Sequence, residues 1–275
     1  MVFKIYFLIK ETRKKYMNRL LNTEKFKLPW IIAHRGYRAK YPENTLISFQ
    51  AALDIGATMI ELDVTFSCDG KLVVMHDNTL DRTTNGHGQV NAHSLKELKQ
   101  LDAGSWFNPV FAGQQVPELE EVLELVNGSA LINIEIKSQA YNPCHPSDAI
   151  EQRVVELVNR KKANDIVLIS SFNKDILEQI ASMENAPAIA LISRNRAEYS
   201  TLELCKRLNI FSWHPDQQIL SQEQVLLMHA EGIRVFPFNV DTPQDFERMF
   251  DMNVDGVISN DPLWAIDWLS HNKAA

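Results

Sequence analysis

Cysteine is scarce in this sequence, which limits the classes of protein it can belong to. Among 275 residues there are three cysteines, Cys68, Cys144 and Cys205. An odd number at wide spacing fits neither a disulfide framework nor a zinc-binding motif. We therefore expect reduced thiols and a cytoplasmic protein.

Basic residues and long apolar runs are also few. The chain has 28 lysines and arginines against 35 acidic residues, a net charge of −7. Nucleic-acid binders usually have a basic surface, so we expect no nucleic-acid partner. An anionic small molecule is not excluded, because a bound cation and a few local bases set the field inside a site. No stretch approaches the ~20 apolar residues of a membrane span, and none is expected.

The N-terminus superficially resembles a signal peptide. However, the apolar run at 5–9 is short, and charged residues at 10–15 follow it in place of a small-residue cleavage site. We predict an N-terminal leader at 1–28 and one domain at 29–271. The leader is either poorly ordered or partly non-native, with translation starting at Met17.

Short β-branched runs alternate with helical patterns from residue 30 onward, which indicates β/α units and a parallel sheet. Strands are predicted at 31–34, 58–64, 130–136, 166–170, 188–192, 210–213, 233–237 and 255–258. Helices are predicted near 45–55, 119–126, 147–162, 173–183, 199–208, 221–230, 243–251 and 262–270. Eight such units predict a TIM (β/α)8 barrel, with an open doubly wound sheet as the alternative.

The interval between the second and third units is too long for a simple loop. Asp69-Gly70 indicates a hairpin leading into a strand at 72–75, and a short helix is predicted at 95–101. We therefore expect a small insertion after the second strand, at about 77–116, on the carboxyl-terminal face where barrel enzymes have their active sites.

Charged residues alternate with apolar ones in two of the predicted strands. Glu61 and Asp63 share one face, and Glu135 and Lys137 share another. The apolar face must pack on helices, so these charges point into the barrel, where they need compensation. A structural ion-pair network such as Glu135–Lys137 is one solution. The other is a divalent cation bound by Glu61, Asp63 and Glu135, for which oxygen ligands favour Mg²⁺, Ca²⁺ or Mn²⁺.

Two histidines stand at predicted strand ends, His34 before Arg35 and His76 before Asp77. Either histidine alone could be structural. Together at the same face, they indicate acid–base chemistry on an anionic ester, with Arg35 and Lys137 as phosphate-binding groups.

The loop after the first strand ends in Glu43-Asn44-Thr45. Thr45, or else Asn44, is expected to cap the following helix. Glu43 and Asn44 could also contact the site, because this loop lies at the same face.

With these segments the sequence resembles the glycerophosphodiester phosphodiesterase family, in order and at family spacing over about residues 29–270. The matching segments are His34-Arg35-Gly36, Pro42–Thr45, Glu61–Asp63, His76-Asp77 and Asn133–Lys137. Further matches are Leu80–Gly86, Asp102–Trp106, Val116–Leu123 and Ser170–Phe172. The resemblance is to the short cytoplasmic bacterial branch.

The resemblance implies a TIM barrel with an insertion after the second strand. It also implies metal binding at Glu61, Asp63 and Glu135 and acid–base roles for His34 and His76. The expected reaction converts a glycerophosphodiester into glycerol 3-phosphate and an alcohol. A lysophospholipase D-like activity on the same barrel and a barrel that binds phosphodiesters without cleaving them are the alternatives.

Two positions depart from the family pattern near the last two strands. Phe238 keeps the aromatic ring expected to line the pocket, but Asp241 replaces a neutral amide, and Asn260 stands where aspartate is common. If Asp241 faces the site, it should disfavour anionic head groups. If instead it caps the helix that starts near Thr242-Pro243, it should not affect substrate preference.

The leader yields the first testable prediction. Residues 1–16 lack helical apolar spacing, so a chain that begins at Met17 should match the full chain in melting temperature and turnover. A melting temperature lower by several degrees would show that the segment packs on the barrel.

Overall fold

The computed structural model describes residues 26–140, 149–195 and 199–272. Nine strands lie in this part of the chain: β1 Trp30–Ala33, β2 Met59–Phe66, β3 Leu72–Val74, β4 Leu131–Ile136, β5 Val167–Ser171, β6 Ala188–Ser193, β7 Ser212–Pro215, β8 Arg234–Val235 and β9 Gly256–Ser259. The helices described are α1 Leu46–Asp54, α2 Leu95–Leu98, α3 Leu119–Val126, α4 Ile150–Arg160, α5 Lys174–Ser182, α6 Tyr199–Leu208, α7 Gln222–Ala230, α8 Pro243–Asp251 and α9 Pro262–Asn272.

The strands form one sheet that curves round on itself. Its order is β8-β7-β6-β5-β4-β2-β1-β9, and all of these pairs are parallel. Backbone hydrogen bonds from Asp255 N to Val235 O (3.1 Å) and from Ile258 N to Pro237 O (3.0 Å) join the two ends. The predicted TIM barrel is confirmed, and the open-sheet alternative is not what forms.

The eighth unit has a shorter strand than the predicted 233–237. Regular pairing stops at Val235, and Pro237, which has no backbone N–H, follows two residues later. A single bridge from Asp216 to Phe238 continues the contact between this strand and β7.

The insertion after β2 forms a small unit of its own. The hairpin turn at Gly70 (φ +71°) leads into β3, which pairs antiparallel with β2. Helix α2 is shorter than predicted and ends at Leu98, after a capping box between Ser94 and Glu97. A separate apolar cluster supports the insertion and comprises Val73, Met75, Leu80, Val90, Leu98, Ala103 and Val116.

The alternation along each strand separates two cores. On β2 and β4 the apolar residues Ile60, Leu62, Ile132 and Ile134 belong to the outer core beneath the helices. A second cluster fills the amino-terminal end of the barrel interior and comprises Trp30, Ile32, Met59, Leu131, Leu168, Ala190, Phe211, Phe236 and Ile258. The polar residues of the same inner faces are therefore left at the carboxyl-terminal end of the barrel.

The predicted leader falls almost wholly outside the described residues. Phe26, its first described residue, packs against the inner cluster and accepts a hydrogen bond from Trp30 Nε1 at 3.1 Å. The boundary at residue 28 stays a prediction. Among the described helices, none has the length and apolar character needed to cross a bilayer.

Candidate active site

Three carboxylates meet at the carboxyl ends of two neighbouring strands. Glu61 and Asp63 lie on β2 and Glu135 on β4, and Asp63 and Glu135 are partners in the parallel register. One oxygen of each lies within 4.8 Å of the others. Strand alternation predicted that these side chains point into the barrel, and they do.

Two positively charged side chains, Arg35 and Lys137, lie beside these three carboxylates. Lys137 Nζ is 2.9 Å from Glu135 Oε1 and 3.3 Å from Asp63 Oδ1, and Arg35 Nε is 3.2 Å from Asp63 Oδ2. Glu61 accepts a hydrogen bond from the backbone N–H of Arg35 at 2.9 Å, and among described residues its one ion-pair contact is His34 at 4.0 Å. An ion-pair network therefore accounts for Asp63 and Glu135 but leaves Glu61 without a full positive charge.

The pKa values of the group reflect this imbalance. Burial and the charges of Asp63 and Glu135 raise the pKa of Glu61 well above its usual value. Burial and Asp63 also raise the pKa of Glu135, although Lys137 opposes the shift. Burial acts in the same direction on Asp63, but the charges of Arg35 and Lys137 outweigh it and lower its pKa.

A divalent cation fits this set of residues. Three carboxylate oxygens within 4.8 Å of one another can reach a single ion, and hard oxygen donors suit magnesium or calcium. Such an ion would also favour the ionised forms of Glu61 and Glu135, whose pKa values are raised without it.

His34 follows β1 directly and reaches the carboxylate group from one side. Its Nδ1 donates a hydrogen bond to Asn260 Oδ1 at 2.7 Å, and its Nε2 lies 4.0 Å from Glu61 Oε2. Burial, with a contribution from the positive charge of Arg35, lowers the pKa of His34 to about 3. The ring is therefore neutral near pH 7.

His76 follows β3 and approaches from the insertion. Its Nδ1 donates to Asp77 Oδ1 at 2.6 Å, and Asp77 also accepts from Arg82 Nε at 2.6 Å. Burial lowers the pKa of His76, while the charge of Asp63 opposes that shift. Both predicted histidines therefore have Nδ1 occupied by a protein acceptor, which leaves Nε2 as the free nitrogen of each ring.

The loop between β1 and α1 brings Arg35 and Asn44 to the site in left-handed backbone conformations, each with φ of +56°. The Arg35 carbonyl accepts hydrogen bonds from Asn44 N at 3.1 Å and Ser48 Oγ at 3.2 Å. Gly36 is required next to it, because a Cβ there would lie 2.4 Å from Ser48 Oγ. Left-handed backbone angles are unfavourable for a residue such as Arg35, and the hydrogen bonds to its carbonyl stabilise them.

The predictions for the 43–45 segment are confirmed. Thr45 is the N-cap of α1 and accepts from Ser48 N at 3.4 Å. Asn44 Nδ2 donates to Asp63 Oδ2 at 2.9 Å, so Asn44 holds one of the three carboxylates in place.

Glu43 is buried among three arginines. Its carboxylate lies 2.7 Å from Arg35 Nη1, 2.9 Å from Arg38 Nε and 2.7 Å from Arg82 Nη2. Burial opposes ionisation, but the hydrogen bond from Arg82 and the charges of Arg35 and Arg38 lower the pKa of Glu43 to about 2. Because Arg82 belongs to the insertion, this buried charge ties the insertion to the β1–α1 loop.

Two cavities with several lining residues in common open at this end of the barrel. The inner one, about 110 Å³, is lined by seven of the eight predicted site residues, all except Asp63: His34, Arg35, Glu61, His76, Glu135, Lys137 and Phe238. The outer one, about 720 Å³, shares His76, Lys137, Phe172, Ile192 and Arg194 with it. The structure therefore brings the predicted site residues together around one space.

Sequence reasoning missed several residues of the inner cavity. Arg194, His214 and Asn239 line it, yet none was singled out, and Phe172 was quoted only as part of a motif. The alternation of side chains between the two faces of a strand could have identified two of them. Arg194 continues the inward face of β6, and His214 lies on the inward face of β7. Arg38 and Arg82 carried no such signal, since they lie in loops.

Of the two alternative roles considered for Asp241, capping of the following helix is wrong. Thr242 is the N-cap of α8: it has extended backbone angles, its side chain accepts from Asp245 N at 3.2 Å, and Pro243 follows at the first helical position. The Asp241 carboxylate instead accepts hydrogen bonds from Ser259 Oγ at 3.1 Å, Asn260 N at 2.7 Å and Asn260 Nδ2 at 2.6 Å.

Comparison with known proteins agrees with this fold and site. Residues 34–263 match the glycerophosphoryl diester phosphodiesterase family. A glycerophosphodiester phosphodiesterase from Caldanaerobacter subterraneus subsp. tengcongensis is 40% identical over 233 residues, which cover 84% of this chain and 94% of the relative. One from Bacillus subtilis is 35% identical and covers 84% of this chain and 83% of the relative.

A solved structure shows the same architecture. The phosphodiesterase of Oleispira antarctica, in complex with the product sn-glycerol-3-phosphate, superposes with a TM-score of 0.79 at 31% identity, and covers 87% of this chain and 97% of that protein. The chain belongs to the glycerophosphoryl diester phosphodiesterase family. It is an enzyme of the phosphoric diester hydrolase class.

The buried charge of Glu43 makes a prediction for stability. A pKa of about 2 in the folded state, against 4.5 ordinarily, means that its contribution is fully present above pH 4.5 and is lost as the pH falls toward 2. This lowering of the pKa corresponds to about 3 kcal/mol. Glu43→Gln should therefore lower the free energy of unfolding in urea at pH 7 by about this amount, and by progressively less as the pH falls below 4.5. A difference that stays constant with pH would contradict this role.

Proposed function

We propose that this chain hydrolyses glycerophosphodiesters to glycerol 3-phosphate and a free alcohol. The observation that carries the proposal is the meeting of three carboxylates within 4.8 Å of one another, two of which line one cavity together with two histidines. The family of the chain supports the reaction class, and the product bound to the Oleispira antarctica phosphodiesterase supports glycerol 3-phosphate as the product.

Glu61, Asp63 and Glu135 are proposed as the metal ligands. All three are oxygen donors, which favours Mg²⁺ or Ca²⁺, with Mn²⁺ as a further candidate. When bound, the ion supplies Lewis-acid polarisation of a phosphoryl oxygen. Lys137 and Asn44 contact Asp63 and hold its carboxylate in place as a metal ligand.

Arg35, Lys137 and Phe238 are proposed to hold the substrate. Arg35 and Lys137 line the inner cavity and place positive charge where a phosphate would accumulate negative charge. The Phe238 ring lies edge-on to Phe172, with their centroids 6.1 Å apart, and offers an apolar wall for the glycerol carbons.

His34 and His76 are proposed as the acid–base pair. Nε2 of one neutral ring accepts the proton of the nucleophile, either water or the neighbouring glycerol hydroxyl, while the other ring enters the step as an imidazolium and gives its Nε2 proton to the leaving alcohol. The hydrogen bonds at Nδ1, to Asn260 and Asp77, keep both rings oriented with Nε2 free.

Small glycerophosphodiesters suit the site better than lysolipids. The outer cavity of about 720 Å³ has room for a polar head group and is lined by polar residues such as Lys174, Arg194 and Asn195. A lysophospholipase D-like activity calls for an exposed apolar surface near the site. In the described part of the insertion, only Trp106 and Val110 are large, exposed hydrophobic residues.

We propose that the enzyme acts in the cytoplasm on a small-molecule substrate, without a nucleic-acid partner. The few, widely spaced cysteines support the location, and Cys68 and Cys205 are free thiols. The domain is proposed to span residues 29–271.

Metal dependence is the first test. Glycerol 3-phosphate release from glycerophosphocholine should stop in EDTA and return with added Mg²⁺ or Ca²⁺. Glu61→Gln, Asp63→Asn and Glu135→Gln should each weaken metal binding in titration calorimetry, because each removes a charged ligand. Glu120→Gln, which alters an exposed carboxylate paired with Lys161, is the matched control and should bind metal normally. Full turnover in excess chelator would refute the metal site.

The histidines provide the second test. His34→Ala and His76→Ala should each lower kcat by roughly 10²–10⁴-fold, the usual contribution of a general acid or base. Melting temperatures should change little, since both residues line the cavity. His229→Ala is the control, because His229 pairs with Asp255, at 2.8 Å, and lines neither cavity. Near-normal turnover of either site variant would make that histidine a structural residue.

A further inference from the structure

The hydrogen bond that orients His34 continues behind the ring, from Asn260 to Asp241. His34 Nδ1 is 2.7 Å from Asn260 Oδ1, and Asn260 Nδ2 is 2.6 Å from Asp241 Oδ2. The other Asp241 oxygen accepts from Asn260 N at 2.7 Å and Ser259 Oγ at 3.1 Å. Neither Asp241 nor Asn260 lines the two cavities.

The chemistry of these groups fixes the direction of every hydrogen bond. An ionised carboxylate only accepts, so Asn260 must turn its NH₂ group toward Asp241. Its amide oxygen then faces His34 and also only accepts, so the proton of that contact is on Nδ1 of the ring. The Asp241 carboxylate orients the Asn260 amide, and the orientation of that amide keeps the His34 proton on Nδ1.

We propose that Asp241 and Asn260 are positioning residues that keep a proton on Nδ1 of His34, so that the ring exchanges protons with the substrate only at Nε2. This rests on the proposed function, in which His34 is an acid–base group. The assignment holds in both charge states of the ring, because Nδ1 carries its proton in each. Nε2 is the nitrogen that faces the carboxylate group, 4.0 Å from Glu61 Oε2.

An amide at position 241 cannot replace the carboxylate. Asp241 faces donors at both of its oxygens, Asn260 Nδ2 on one and Asn260 N with Ser259 Oγ on the other. In Asp241→Asn one of these acceptors becomes a donor, which favours rotation of the Asn260 amide. The NH₂ group of Asn260 would then face Nδ1, and the neutral ring would place its proton on Nε2, the nitrogen needed for the reaction.

Exchanging the two residues restores the pattern. In the double variant Asp241→Asn/Asn260→Asp, the carboxylate introduced at 260 accepts from His34 Nδ1 and from the amide introduced at 241. The oxygen of that amide accepts from the backbone N–H of residue 260 and from Ser259. The double variant therefore keeps an acceptor facing Nδ1 of His34 and satisfies every partner, although the hydrogen bond between residues 241 and 260 reverses its direction and the charge has moved.

The test combines a direct measurement of the tautomer with kinetics on the full chain. Nitrogen-15 chemical shifts near neutral pH, with the His34 signals assigned by their loss in His34→Gln, should show a proton on Nδ1 in the wild type and in the double variant. In Asp241→Asn the proton should be on Nε2. On glycerophosphocholine, Asp241→Asn should lower kcat by on the order of 10²-fold, and the double variant should regain most of that loss. KM should change by no more than about 2-fold, because neither residue lines the cavities.

Asp255→Asn is the matched control. It makes the same carboxylate-to-amide change beside a histidine, His229, away from the cavities, and should leave kcat unchanged. Asn260→Ala, which removes the acceptor without adding a charge, should lower kcat as Asp241→Asn does. Thermal melting should show that each variant folds.

Several outcomes would overturn the proposal. A proton on Nδ1 in Asp241→Asn, normal kcat in that variant, or a double variant no more active than the single one would each exclude the positioning role. If the wild type cleaved no glycerophosphodiester, the proposed function would fail, but the tautomer measurement would still decide whether Asp241 controls His34.

Discussion

Three carboxylates shielded from bulk water within 4.8 Å of one another repel, and much of the site limits that repulsion. Arg35 and Lys137 lie against Asp63, Lys137 reaches Glu135, and Asn44 donates a hydrogen bond to Asp63. Glu61 is left with a backbone N–H and a neutral histidine. The cost of burying an uncompensated charge is the physical reason to expect a cation there.

A second buried charge, that of Glu43, holds the parts of the site together. Arg35 comes from the loop after β1, and Arg82 comes from the insertion, yet both bind the same carboxylate. Arg82 also binds Asp77, the partner of His76. The insertion, which has its own apolar cluster, is thereby placed so that His76 lines the same cavity as His34.

Much of the fold and of the site could be predicted from sequence because the relevant signals are local. Period-two alternation predicted that Glu61, Asp63 and Glu135 point inward, and strand ends predicted where His34 and His76 lie. Turn and cap residues such as Gly70 and Thr45 were correctly assigned for the same reason. Capping by Asp241, one of the two roles left open from sequence, is wrong because its neighbour Thr242 is also a good N-cap, and only the actual backbone angles decide between them.

The sequence by itself therefore determined the order of strands and helices, the inward face of each strand and the residue types at the strand ends. Only the tertiary structure decided which of these ends meet. His34 and Asn260 are 226 positions apart, and Lys137 and Asp63 are 74 apart, yet each pair forms a hydrogen bond. Closure of the barrel between β8 and β9 brings Asp241 to Asn260 and, through it, to His34. Propensity and periodicity act over a few residues, whereas contacts of this kind depend on the register and closure of the whole sheet.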